Sequence, residues 1–306
     1  MKKENTLHTS QNSCTKGTEE AGMNATIQTA SSVQQARRRA MVLPREHGAW
    51  GLLLVPLFTG VVAGFAPEHR IWSLLLFTLA SLSLFFLRTP VESLLGMGTV
   101  SASSRDERRT AMIAAASFGF LAGACLFGLM WKGRYSLLLA LAAVCACAFV
   151  AQALLRKLGR STRMISQLVG AIGLTCTAPG AYYIGTGRLD WFAVVLWIAN
   201  WIFAGNQIHF VQLRIHAARA ATFTEKFQRG RWFLLAQPVL LTVLVFASLW
   251  HIVPPLAIIA FIPAVVRGSH WFFKGPEPFN VKSLGWSEMK HGVVFGLLLA
   301  MTFVYR

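Results

Sequence analysis

The stretch RWFLLAQPVLLTVLVFASLWHIVPPLAIIAFIPAVV, residues 231–266, decides the architecture. It is apolar over nearly its whole length and holds no acidic residue. One helix of this length would overshoot a bilayer, because a span takes about 20 residues, within a range of about 17–25. His251 and the Pro254-Pro255 pair divide it. Proline has no backbone N–H, so a proline pair fits the start of a helix and not its middle. The stretch is therefore expected to form a tight hairpin of two helices. The second is short and must be tilted or shielded by its neighbours. This reading makes the number of spans odd, which decides the side on which each later loop lies.

Outward from the hairpin, apolar runs recur along the chain. The expected spans are residues 44–65, 70–87, 110–131, 135–155, 164–184, 190–212, 231–251, 252–266 and 290–305, nine in all. Composition agrees. The chain has 306 residues, 55% hydrophobic and 13% charged, with a mean hydropathy of +0.52. An ordinary soluble domain carries about 25% charged residues. Half that charge cannot cover a soluble protein of this size, which excludes a large water-soluble enzyme and a disordered chain. The expected fold class is an all-α, polytopic transmembrane helical bundle of about nine helices. Residues 1–40 are rich in Ser, Thr, Gln, Asn and Lys and lack an apolar run. They are expected to be a disordered cytoplasmic tail, with residues 41–306 as the transmembrane domain.

The net charge of +17 would suggest nucleic acid in a soluble protein. In a membrane protein it first reports cytoplasmic loops. With the N-terminus inside, 24 of the 29 Lys and Arg fall in the N-terminal segment through Arg45 and in residues 88–109, 156–163, 213–231 and 267–290. The other five are Arg70, Lys132, Arg134, Arg188 and Arg306. The asymmetry predicts a multi-pass protein of the inner (cell) membrane, N-terminus cytoplasmic and C-terminus outside, with membrane lipids and no nucleic acid as partners. The five cysteines show neither a CxxC pair nor zinc spacing and read as packing residues, so no metal is expected.

Polar groups inside a membrane are expensive, and their positions carry information. Four clusters stand out: Arg45, Glu46 and His47 at the start of the first span; Arg88 and Glu92 at the end of the second; Asn200, Asn206, Gln207, His209, Gln212 and Arg214 on the sixth; and Glu288, Lys290 and His291 at the start of the ninth. All four lie toward the cytoplasmic leaflet in the nine-span topology. Seven residues make nearly two helical turns, so Asn200, Gln207 and Arg214 form one stripe. That stripe lines a cavity or fixes helix packing through interhelical hydrogen bonds. Asn206 lies about 100° to one side, and His209 nearly opposite, toward a different partner. Helix N-termini with Arg45, Arg88 and Arg214 near them make an anion site. In the same first turns, Glu46 and Glu288 act as part of a pocket or as caps. The candidate pocket is thus Arg45, Glu46, His47, Arg88, Glu92, Asn200, Asn206, Gln207, Arg214, Glu288 and His291. His270 reads as a boundary residue. Trp50, Trp72, Trp131, Trp191, Trp250 and Trp271 read as interfacial anchors.

The segment LPREHGAW at residues 43–50, followed by LLLVP at 52–56, resembles the opening signature of the YwiC-like family of bacterial membrane proteins. Residues 284–288, LGWSE, are consistent with that family's last segment, so the resemblance covers about residues 41–306. It implies a topology and no particular activity. A more distant likeness is to the UbiA-type prenyltransferases, whose nine helices begin inside and open an active site to the cytoplasm. That superfamily binds Mg²⁺-diphosphate through Asp-rich motifs after its second and sixth helices. This chain has two Asp, Asp106 and Asp190, and offers Arg88, Glu92, Asn206, Gln207 and Arg214 in those regions. Mg²⁺ favours carboxylate oxygens, so metal-dependent prenyl transfer is disfavoured and no cofactor is expected. The expected function is a UbiA-like bundle whose cytoplasm-facing polar pocket holds a lipid or isoprenoid-type amphiphile, or an anionic small molecule. The alternatives are a transporter or permease, for which no inverted repeat is visible, and a non-enzymatic membrane subunit or assembly factor, which the short loops fit.

Overall fold

The structure is a computed structural model, and it describes residues 34–43, 47–65, 70–98, 100–133, 135–218, 220, 222–275 and 280–304. Arg45 and Glu46, and the tail before residue 34, lie outside the described residues, as does the side chain of His47. The described residues are helical or lie in short turns. Residues 34–42 form α1. Then follow α2 (His47–Ala63), α3 (Ile71–Leu94), α4 (Arg105–Gly133), α5 (Leu137–Lys157), α6 (Arg163–Thr175), α7 (Thr177–Thr186), α8 (Trp191–His216), α9 (Phe223–Leu249), α10 (Leu256–Phe273) and α11 (Val281–Val304). The boundary expected at residue 40 thus falls inside a helix. Pro179 explains why α6 and α7 are two elements of one span, Arg163–Thr186, because it withholds the N–H that the turn before it would use. Counted so, the described residues hold nine helical rods after α1. Seven spans are long and apolar enough to cross a membrane, and Gly48–Ala63 is a shorter apolar helix.

The hairpin that decides the fold is present. α9 ends at Leu249, His251 takes a positive φ of 54°, and α10 begins right after Pro255. The sequence reading placed some ends differently. α9 begins at Phe223 and not at 231, because Thr222 and Glu225 form a capping box that outweighs the charges of its first turns. α10 continues past 266 to Phe273, and α11 begins at Val281 and not at 290. The sixth span starts where Asp190 caps it, accepting from the N–H groups of Phe192 (3.1 Å) and Ala193 (3.3 Å).

The described chain forms two compact units, Met1–Arg45 with Phe86–Ser117, and Glu46–Phe85 with Phe118–Arg306. In the smaller unit Met41 is buried, and the Arg37 Nε meets Glu107 Oε1 at 2.8 Å. Glu107 also accepts from the backbone N–H of Ser103 at 2.9 Å and of Ser104 at 3.2 Å. Polar side chains there fasten a loop.

In the larger unit α2 packs on α7 and α11. α8 contacts α2, α6, α7, α9 and α10, and α10 contacts α9 and α11. A Cβ on Gly60 would lie inside the van der Waals shell of the Ala178 carbonyl, so glycine sets the approach of α2 to α7. One apolar core centres on Phe203 and Phe295, stacked at 3.8 Å, with Phe261 edge-on. A second gathers Phe210, Phe233, Trp271 and Phe272 between α8, α9, α10 and α11. A third surrounds Tyr135, Tyr183 and Ile184.

Candidate functional site

At the C-terminal ends of α8 and α10 and the N-terminal end of α11, the larger unit holds a cavity of about 600 Å³. That volume lies within the range of about 300–1,000 Å³ usual for small-molecule sites. Its walls carry the basic side chains Arg214, Arg267, His270, Lys274 and His291. Phe210, Trp271, Pro263, Val266 and Leu284 supply apolar surface, and Asn280, Ser283 and Ser287 supply small polar groups. The spacing of 267, 270, 271 and 274 puts the α10 contributors on one side of the helix and its end.

One wall residue, Arg267, is half of an ion pair. Arg267 Nη1 bonds Glu288 Oε2, with 9% and 6% of the two side chains exposed. Gln207 Nε2 donates to the backbone carbonyl of Glu288 at 2.8 Å, which ties α8 to α11 at that turn. The Arg267 guanidinium also lies 4.4 Å from the centre of the Phe210 ring. Its Nε and Nη2 are buried without a hydrogen-bond partner, and so is Glu288 Oε1. An unspent buried N–H costs about 1–3 kcal/mol, more on a charged group.

Arg214 stands on the other side of Trp271, its guanidinium 5.6 Å from that ring. It is half-buried, and among the described residues it forms neither an ion pair nor a hydrogen bond. It is near enough to act electrostatically on both Arg267 and Glu288. Among the described residues, Glu288 is paired with Arg267 alone. Lys226 contrasts with the two arginines. Buried at 2% exposure, it donates to the carbonyls of Trp271 (3.3 Å), Lys274 and Gly275 (3.5 Å) and so closes the end of α10. His291 Nδ1 lies 2.8 Å from the Ser287 carbonyl. A carbonyl only accepts, so Nδ1 carries the proton and Nε2 is the remaining ring nitrogen.

The residues singled out from the sequence divide into groups. Arg214 and His291 line the cavity, while Glu288 and Gln207 stand behind it. Asn200 makes a packing contact, donating to Thr59 Oγ1 on α2 at 3.1 Å. Asn206 donates to Gln237 Oε1 on α9 at 3.0 Å. His209 meets Phe233 of α9 edge-on, the separate partner its position on the helix implied. Along the stripe, Asn200 and Gln207 bond neighbouring helices and Arg214 lines the cavity. Arg88 and Glu92 belong to the smaller unit, where Arg88 Nε donates to Glu92 Oε1 at 2.7 Å one turn on.

Two assignments are corrected. Trp271 is no interfacial anchor: it is 7% exposed, wedged under Arg214 and Lys226, whereas Trp72, Trp131, Trp191 and Trp250 are exposed. His270 is more than a boundary residue, because it lines the cavity. Arg267 and Lys274 lie beyond 266, where the expected eighth span ends; their helical spacing with His270 and Trp271 is the signal that finds them.

A set of apolar helices of these lengths, with an ion pair and a basic cavity inside them, defines a multi-pass helical membrane protein. Residues 43–182, which include the opening signature, match the family model described as YwiC-like protein. No curated protein and no solved structure matches the chain, and the UbiA-type likeness is thus not among the matches. The cavity is built from residues beyond the matched stretch.

Proposed function

We propose that the protein holds an anionic amphiphile, with its headgroup in the basic cavity and its apolar tail along α10 in the lipid. One observation carries this reading: the cavity shares a face with the lipid-exposed surface. Val266 lines it and is 57% exposed, and Ile262 and Ile259 continue the same exposed face of α10 at helical spacing. A ligand fitted to such a site needs charge at one end and hydrocarbon at the other. An isoprenoid-type lipid has that form, as does an ordinary acyl lipid. With the N-terminus inside, as the distribution of Lys and Arg indicates, the cavity opens to the cytoplasmic leaflet of the inner membrane.

The basic lining meets an anion directly, and the reading includes no metal. The test is lipid extraction from the purified full-length protein followed by mass spectrometry. An anionic amphiphile is expected near one per protein in the wild type. It is expected to be lost in Ser287→Trp, which fills the cavity from α11. Equal retention by a folded Ser287→Trp protein would overturn the reading. Flux in proteoliposomes without bound amphiphile would favour a permease instead. A stoichiometric protein partner in place of the lipid would favour an assembly factor.

A further inference from the structure

We infer that the headgroup is a phosphate, bridged between Arg214 and Arg267; this deepens the amphiphile reading and rests on it. The argument is one of charge and shape. Arg267 is committed to Glu288 through Nη1 alone, which leaves Nε and Nη2 without partners. Among the described residues Arg214 has no hydrogen bond or ion pair and is held against the face of Trp271. Arginine cannot relieve this by losing its proton. Arg214 and Arg267 line one cavity, and a further anion there would match the donors they leave over. Each guanidinium offers a planar fork, and the two stand over different rings, Arg267 over Phe210 and Arg214 over Trp271.

A carboxylate has two oxygens in one plane and fits one fork. A tetrahedral phosphate presents oxygens in several directions, so it serves two forks at once. Ser283 and Ser287 add hydroxyls to the same cavity. Phosphate is thus the group whose acceptors match the donors this site leaves unspent. Lys226, the third buried cation nearby, has three carbonyl partners and takes no part in the bridge.

The chemistry fits two sources, a lipid phosphate and free inorganic phosphate, and the experiment separates them. The full-length protein in nanodiscs of neutral lipid is titrated with three probes: an alkyl phosphate monoester, the alkyl carboxylate of equal chain length, and inorganic phosphate. The alkyl phosphate is expected to bind at least tenfold tighter than the carboxylate, a ratio of one decade in Kd. Arg214→Gln is expected to erase that ratio. Arg267→Lys, which keeps the charge facing Glu288 but loses the planar fork, is expected to reduce it severalfold while the protein stays folded. Equal binding of phosphate and carboxylate would overturn the phosphate assignment and leave the amphiphile reading standing. Inorganic phosphate binding as tightly as the alkyl phosphate would overturn the amphiphile reading and keep the phosphate. Binding of none of the three would overturn both.

Discussion

Two ends of α8 use arginine in opposite ways. Near its start, Arg70 donates to the carbonyls of Ile184 at 3.0 Å and Gly185 at 2.7 Å, closing the end of α7. Tyr182 and Asp190 bond each other beside it at 3.1 Å, and Asp190 also caps α8. There Nη1 of Arg70 serves the fold through both carbonyls. Near the other end, among the described residues, Arg214 has no polar partner and Arg267 keeps Nε and Nη2 unspent. What sets Arg267 apart from Arg70 is that donors it leaves over are buried.

Substitutions can break that contrast, and the largest effect is expected at the ion pair. Removing one partner by Glu288→Ala or Arg267→Ala leaves a buried charge without compensation. It should cost about 3–5 kcal/mol, read as a fall in thermal unfolding temperature in detergent. The double variant Arg267→Met with Glu288→Met should lie near the wild type, since an apolar pair of similar volume is often neutral. Lys226→Met should come next. It strips the donor from the carbonyls at the end of α10, at about 1–3 kcal/mol by the same measurement. Gly60→Ala forces α2 away from the Ala178 carbonyl and should also cost about 1–3 kcal/mol, with no specific effect on the cavity. The smallest effect on stability is expected for Arg214→Gln. It removes only a cation–ring contact worth about 0.5–1 kcal/mol. A loss above 2 kcal/mol would mean that Arg214 is a structural residue like Arg70.

Much of the fold could be read from the residues. Hydrophobic length gave the nine rods, and Pro254 with Pro255 marked the hairpin between α9 and α10. Boundaries failed where charge sits inside a helix. Lys226, Arg229 and Arg231 argued against helix at 223–231, yet the Thr222–Glu225 capping box starts one there, and Lys226 reaches carbonyls that need a donor. Arg267 looked like the first residue of a loop because its partner, Glu288, is 21 residues away and meets it only after folding. The candidate site was legible in the same measure. Helical spacing placed Arg214 on an inward stripe and His209 toward another neighbour. Spacing within one helix could not tell that Asn200 would meet Thr59 of α2, whereas Arg214 would meet no polar side chain. That depends on the facing helices, which lie far away in sequence.

The most direct test of the unspent guanidinium is native mass spectrometry of the full-length protein released from mild detergent. The wild type and Arg70→Met should carry a bound phosphate-headed amphiphile, and Arg214→Gln should appear as the bare chain. Retention of the amphiphile by Arg214→Gln at the wild-type level would contradict the account.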